Sequence, residues 1–305
     1  MNLAQVWEPF IMRTAVPNLD RGRVKTDGWS MRRTTGPGDR EMSIDSLDAD
    51  EPVDLVFGGS FCFGVGHRMT APQRPRRAAL NLGGFSHSLA QNLIAFMFLC
   101  GHFTTVRNVV IAVLNEIYLL QACDAIYRRF GLFQFNERFL NDMNGGLNQE
   151  RRGTPLGDSP RPFARLTHRE ADEDAEGALL NESLQGVFST WTCQAAVSGA
   201  RLVAVTQSTP DLQQRKLAEG ERELFDRFDA ASGIMEADSR VVRCHSAWHR
   251  QDMEDLSGRI RFDYLEINDR IGNDYDQAWL YVDRVHMSDM GYALAAEIVA
   301  ETLQR

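Results

Sequence analysis

An α/β fold built on a parallel sheet is predicted by three features of the chain. Short apolar runs rich in β-branched residues recur along it, stretches with helical spacing alternate with those runs, and the early runs end in glycine. The strongest run, Val106 to Leu114 (VRNVVIAVL), is nearly all apolar, as expected of a strand covered on both faces.

In chain order, residues 1–50 are mixed, with turn signals at Asp27-Gly28 and Gly36-Pro37-Gly38. Trp7, Phe10 and Trp29 suit them to pack, as an N-terminal extension, on a main domain spanning 51–305. Val53 to Phe57 reads as a buried strand that meets a tight turn at Gly58-Gly59. A second strand, around Ala79 to Leu82, ends at Gly83-Gly84. Helical spacing follows from Ser88 to Leu99, then the Val106 to Leu114 strand, then helical spacing again from Ile117 to Phe130. Residues 144–177 carry Gly145-Gly146, Arg151-Arg152, three prolines and an acidic run from Glu170 to Glu176, and read as a long loop insertion. Beyond it the alternation resumes, with a helix from Glu176 to Ala196, a strand from Arg201 to Thr206 and a charged amphipathic helix from Leu217 to Phe228. A final helix, Ser288 to Leu303, opens on a serine cap.

Composition excludes several classes of function. A hydrophobic fraction of 43% in 305 residues is too high for a disordered chain and ample for a buried core. A net charge of −9 opposes binding to nucleic acid, which needs a clustered positive field. Five widely spaced cysteines with no C-x-x-C pair form neither a disulfide framework nor a zinc pattern. Met1 to Asp20 lacks the layout of a signal peptide, and the longest apolar stretch, Leu93 to Cys100, is far short of a membrane span. The expectation is therefore a cytoplasmic protein in a reducing compartment. Of 33 basic residues only Lys25 and Lys216 are lysine, and neither lies at a predicted strand end, so Ser–Lys and Schiff-base chemistry fit poorly.

Three features can carry chemistry. Ser60 follows the first strand directly, in Phe57-Gly58-Gly59-Ser60, at the strand end where ligands of parallel sheets bind. A serine so placed can act as a nucleophile whose own N–H helps hold an oxyanion. Asp283 stands three residues before His286, just ahead of the last helix, a spacing that lets a carboxylate fix the imidazole tautomer. Asn115 follows the strongest strand, and its amide can donate to an oxyanion. Each also has an ordinary structural reading: Ser60 as a helix N-cap, Asp283 as a surface acid beside a helix-capping His286, Asn115 as the cap of the next helix. His245 and His249, spaced i, i+4 beside Cys244, could form a metal pair, but no H-E-x-x-H glutamate lies between them and a helix face is the plainer reading. Cys62 reads as a small buried hydrophobe, and Met287 and Met290 as packing for the last helix.

The order of these signals resembles the SGNH (GDSL-like) hydrolase superfamily. Ser60 matches its block I serine, with Gly59 where many members carry Asp. Asn81 to Gln91 resembles block II, Asn115 matches the block III asparagine, and Asp283 and His286 match block V. The chain departs from the pattern at Ser86, where glycine is commonest, and in Val113-Leu114-Asn115-Glu116, where G-x-N-D is usual. The resemblance implies a three-layer α/β/α sandwich with a flavodoxin-like parallel sheet. It also implies a serine esterase or deacylase with Ser60, Asp283 and His286 as triad. The oxyanion hole would comprise the N–H groups of Ser60 and Ser86 and the Asn115 amide. The implied substrate is a small-molecule or carbohydrate ester such as an O-acetyl sugar, with no cofactor and no metal. An acyltransferase using the same residues, or a catalytically degenerate binding module, are the alternatives.

Overall fold

The computed structural model describes residues 5–8, 12–21, 24–36, 38, 40–64, 78–84, 87–113, 173–213, 215–232, 250–276 and 278–304. Among these residues five strands make the central sheet: β1 (Val53–Phe57), β2 (Ala78–Asn81), β3 (Val106–Val113), β4 (Arg201–Thr206) and β5 (Asp263–Leu265). Every pairing is parallel and the order is β2-β1-β3-β4-β5, the flavodoxin-like arrangement. The order reverses between β1 and β3, which places a crevice beyond the carboxyl ends of those two strands.

Seven helices accompany the sheet among the described residues: α1 (Ser60–Phe63), α2 (Leu89–Leu99), α3 (Glu173–Val197), α4 (Glu219–Ser232), α5 (250–260), α6 (Asn268–Asp274) and α7 (Asp289–Leu303). They cover both faces. Leu55, Phe57, Val109, Ile111, Leu202 and Ala204 pack in one core with Phe96 of α2, Trp191 of α3 and Met253 of α5. Val110, Val203 and Val205 pack in a second core with Phe225 of α4, Ile271 of α6 and Ile298 of α7. Neighbouring residues of one strand therefore serve opposite cores, as the two-residue period of a strand requires. Both faces are buried, so these strands read as near-continuous apolar runs rather than as alternating ones. In the first core, Trp191 stacks on Phe96 at 5.6 Å between ring centroids and lies 5.5 Å from Phe57. A polar residue inside β1, Asp54, is buried but accepts from Asn108 Nδ2 at 2.7 Å and pairs with Arg107 at 3.3 Å.

The N-terminal segment forms three two-stranded antiparallel ribbons, Gln5–Glu8 with Met12–Ala15, Asp20–Arg21 with Val24–Lys25, and Thr34–Thr35 with Glu41–Met42. It is fastened by an inward carboxylate. Asp27 is buried and accepts from the backbone N–H groups of Trp29, Met31 and Ile44 at 3.0, 2.9 and 3.1 Å. Burial raises its pKa, with the three N–H donors acting in the opposite sense. Met31, Met42 and Ile44 join the first core, and Thr34 Oγ1 donates to Ala79 O of β2 at 3.2 Å.

The predicted strands and helices that fall on described residues are present, with ends shifted by a few residues. The predicted 144–177 insertion overlaps α3, which already begins at Glu173. The rest of that insertion and the predicted helix at 117–130 lie outside the described residues. Missing from the sequence reading were β5, α5, α6 and the N-terminal ribbons. Strands of two or three residues carry too few side chains to reveal a period, and β5 has three. Trp191→Ala should lower the free energy of unfolding in urea by about 3–5 kcal/mol, since the emptied site is walled by rigid aromatic rings.

Candidate active site

The turn after β1 is shaped by crowding. A Cβ on Gly58 would lie 2.5 Å from Cys62 Sγ and 3.2 Å from Ala112 Cβ of β3, so the chain passes here only without a side chain. Gly59, not Ser60, is the N-cap of α1 and makes no side-chain cap. Ser60 occupies the first helical position, and its hydroxyl is left for another partner. The short helix ends at Gly64, whose φ of +74° is the left-handed conformation natural to glycine.

Several groups hold this turn from outside. Arg32 of the N-terminal segment is buried and donates to Phe63 O and to Gly64 O, the latter at 2.5 Å. Burial lowers its pKa. Asn81, at the end of β2, donates from Nδ2 to Cys62 O at 2.5 Å and accepts from Gly83 N at 3.0 Å. Gly84 N donates to Gly58 O at 3.0 Å. Cys62 is half-buried rather than fully buried, with its thiol directed at Phe57 O at 3.4 Å.

The second half of the site is the loop ahead of α7. Tyr281 and Met287 form an isolated antiparallel bridge, Val282 N donates to His286 O at 2.9 Å, and Ser288 N donates to Leu280 O at 2.7 Å. Within this closed loop Asp283 Oδ1 accepts from Val285 N at 2.8 Å and His286 N at 2.7 Å. The same carboxylate faces His286 Nδ1, with Oδ2 at 2.8 Å and Oδ1 at 3.0 Å. His286 Nε2 lies 2.9 Å from Ser60 Oγ. Asp283 and His286 are both buried, and Ser60 is half-buried.

An ionised carboxylate only accepts hydrogen bonds, so the proton of the neutral imidazole sits on Nδ1. Nε2 is then a lone-pair acceptor facing the Ser60 hydroxyl. For Asp283, burial opposes ionisation, but the His286 ring and the two backbone N–H groups outweigh it and hold its pKa below the ordinary 3.8. The arrangement is a hydroxyl, a base and an orienting carboxylate in hydrogen-bonded series, able to deprotonate the hydroxyl as it attacks.

Of the predicted site residues, the structure brings Ser60, Asp283 and His286 together. Ser86 and Asn115 lie outside the described residues, as do Cys244, His245 and His249. Met287 is buried as predicted, whereas Met290 is 49% exposed, because it occupies an outer position in the first turn of α7. Arg32 was not found from sequence, since no local pattern links it to a turn some 30 residues away. Among the described residues no group of three His, Cys, Asp or Glu is placed to hold a metal ion, and no helix is long and apolar enough to cross a membrane.

No protein-family model matches the chain, and no curated protein matches it. Among solved structures it is similar to one described as "a putative SGNH hydrolase from Slackia heliotrinireducens", with 13% identity, 83% of this chain and 100% of the other covered, and a TM-score of 0.43.

The depressed pKa of Asp283 has a pH signature. Its ionised form is favoured in the folded protein, so its stabilising contribution is complete above the ordinary value of 3.8 and is lost as the pH falls through its lower folded value. The thermal midpoint of the wild type should exceed that of Asp283→Asn above about pH 4, and the difference should shrink as the pH falls further.

Proposed function

We propose that the protein is an SGNH-type serine ester hydrolase that cleaves a small ester or an O-acyl group, such as an O-acetyl sugar, through an acyl-enzyme on Ser60. The observation that carries this reading is the Ser60–His286–Asp283 series, in which a 2.9 Å contact joins Ser60 to His286, 226 residues away, and a 2.8 Å contact joins His286 to the neighbouring Asp283. Its position at the carboxyl end of β1, where strand order reverses, is where open α/β sheets bind ligands.

In the proposed reaction Ser60 Oγ attacks the ester carbonyl carbon while its proton passes to His286 Nε2. Asp283 steadies the imidazolium from the other side of the ring. The carbonyl oxygen takes up the negative charge. The N–H of Ser60, in the first turn of α1, is a suitable donor to it, because first-turn N–H groups have no partner inside their helix. The proposed companion donors are the Ser86 N–H and the Asn115 amide, from the resemblance. Collapse of the intermediate expels the alcohol, which takes the proton from His286. Water then gives a proton to His286 and attacks the acyl carbon. Collapse of the second intermediate releases the acid and returns the proton to Ser60. With an alcohol in place of water the same steps transfer the acyl group, and product analysis with an added alcohol separates the two outcomes.

The wild type should hydrolyse p-nitrophenyl acetate and be labelled by a fluorophosphonate at Ser60. Ser60→Ala should lose labelling and at least about 10³-fold in kcat while keeping its thermal midpoint. A Ser60→Ala enzyme with wild-type turnover, or a folded wild type that resists labelling, overturns the reading.

A further inference from the structure

We propose that helix α4 is the positioning element of the loop that carries Asp283 and His286, acting through Glu221, Phe225 and Asp229. This rests on the triad reading above and adds to it the residues that set the geometry of the acid–base pair.

The three residues are spaced four apart, so they lie along one stripe of α4 that extends about 12 Å from first to last. Glu221, at the N-terminal end, grips the start of the loop. Its Oε1 accepts from Leu280 N at 2.7 Å, Tyr281 N at 2.9 Å and Arg215 Nη2 at 2.6 Å, and its Oε2 accepts from Ala218 N at 2.8 Å. The Arg215 and Glu221 side chains have no exposed surface. Arg215 is itself held, donating to Gln213 Oε1 at 2.9 Å and Ala278 O at 3.0 Å. Asp229, two turns further on, grips the middle of the loop. Its Oδ2 accepts from Arg284 Nη2 at 2.6 Å and Nε at 2.9 Å, and its Oδ1 from Nε at 3.2 Å, so two donors of one planar guanidinium grip the carboxylate and fix direction as well as distance. Between them Phe225 is buried, and the Arg284 guanidinium lies over its ring at 5.4 Å.

Residues 280, 281 and 284 are thus tied to one rigid rod, and Asp283 is enclosed between the two ties. Buried ion pairs add little net stability over apolar residues of equal size, and their best-attested use is to specify one arrangement. Here that arrangement sets how far His286 Nε2 reaches towards Ser60. Glu221, Asp229 and Arg284 act through Asp283 and His286 and are positioning residues, not catalytic ones.

The test compares wild type, Asp229→Asn, Arg284→Lys and the charge-swapped pair Asp229→Arg with Arg284→Asp. Ester hydrolysis and peptide-resolved deuterium uptake are measured on each folded protein. Asp229→Asn is expected to lower kcat by about 10-fold or more, with KM changed by less than about 2-fold, since small misplacements of a reacting group cost rate rather than binding. Deuterium uptake should rise across 280–287 and stay unchanged in β1 and β3. Arg284→Lys keeps the charge and loses the fork, and should show the same changes in smaller measure. The swapped pair should recover most of the lost kcat. Wild-type kcat and wild-type uptake in Asp229→Asn and Arg284→Lys overturn the proposal, as does a loss matched by faster uptake throughout the sheet. If the wild type neither hydrolyses the ester nor labels, the triad reading falls, and uptake across 280–287 still decides whether α4 positions the loop.

Discussion

One hydrogen bond, from the Ser60 hydroxyl to His286 Nε2 at 2.9 Å, joins groups 226 residues apart, and much of the polar structure bears on its length. Each partner sits on a short irregular segment that could not hold its own position. Helix α1 has four residues, and the Asp283–His286 loop has one bridged pair at its base. Isolated turns of that size are unstable in water, so their geometry must be imposed by neighbours. On the serine side the neighbours are the β2 turn, through Asn81 and Gly84, and the N-terminal segment, through Arg32. On the histidine side they are α4 and the capped start of α7.

The division between what was legible in the sequence and what was not follows from this arrangement. Long elements announce themselves, β3 because nearly every residue is buried and apolar, α2 because its buried residues follow helical spacing. Ser60, Asp283 and His286 were legible because each depends on local chemistry: a glycine turn after a strand, and a carboxylate three residues from an imidazole. The supports were not. Arg32, Glu221 and Asp229 look like any surface charge in a chain with 42 acidic and 33 basic residues. Only the fold reveals that Arg32 and Glu221 are buried and that Asp229 faces Arg284. The spacing of Glu221, Phe225 and Asp229 is visible as one helical stripe, but what that stripe touches is set by long-range packing. The N-cap reading of Ser60 failed for a related reason. Gly59 adopts the capping conformation, and propensity alone cannot locate a helix start to one residue.

The scarcity of lysine acquires structural content at three sites. Arg32 serves two carbonyls, Arg215 serves a carboxylate, an amide oxygen and backbone carbonyls, and Arg284 forks onto Asp229 while covering Phe225. Each task uses the planar, multiply donating guanidinium, and a compact ammonium could meet only part of it. A compositional habit of the whole chain has therefore become a set of specific dependencies around the site.

Among the described residues the sheet also ends abruptly on both sides. β5 offers three residues and β2 four, and beside β5 the Arg201–Asp263 ion pair sits at the start of the last ladder. Such short borders give an incoming strand few backbone groups to pair with, and a charged pair beside them discourages apolar contact. Growth of the sheet from one copy into the next is accordingly disfavoured at either border. Strand exchange between copies is thus disfavoured at both borders of this sheet, and the crevice beyond β1 and β3 is spared that obstruction.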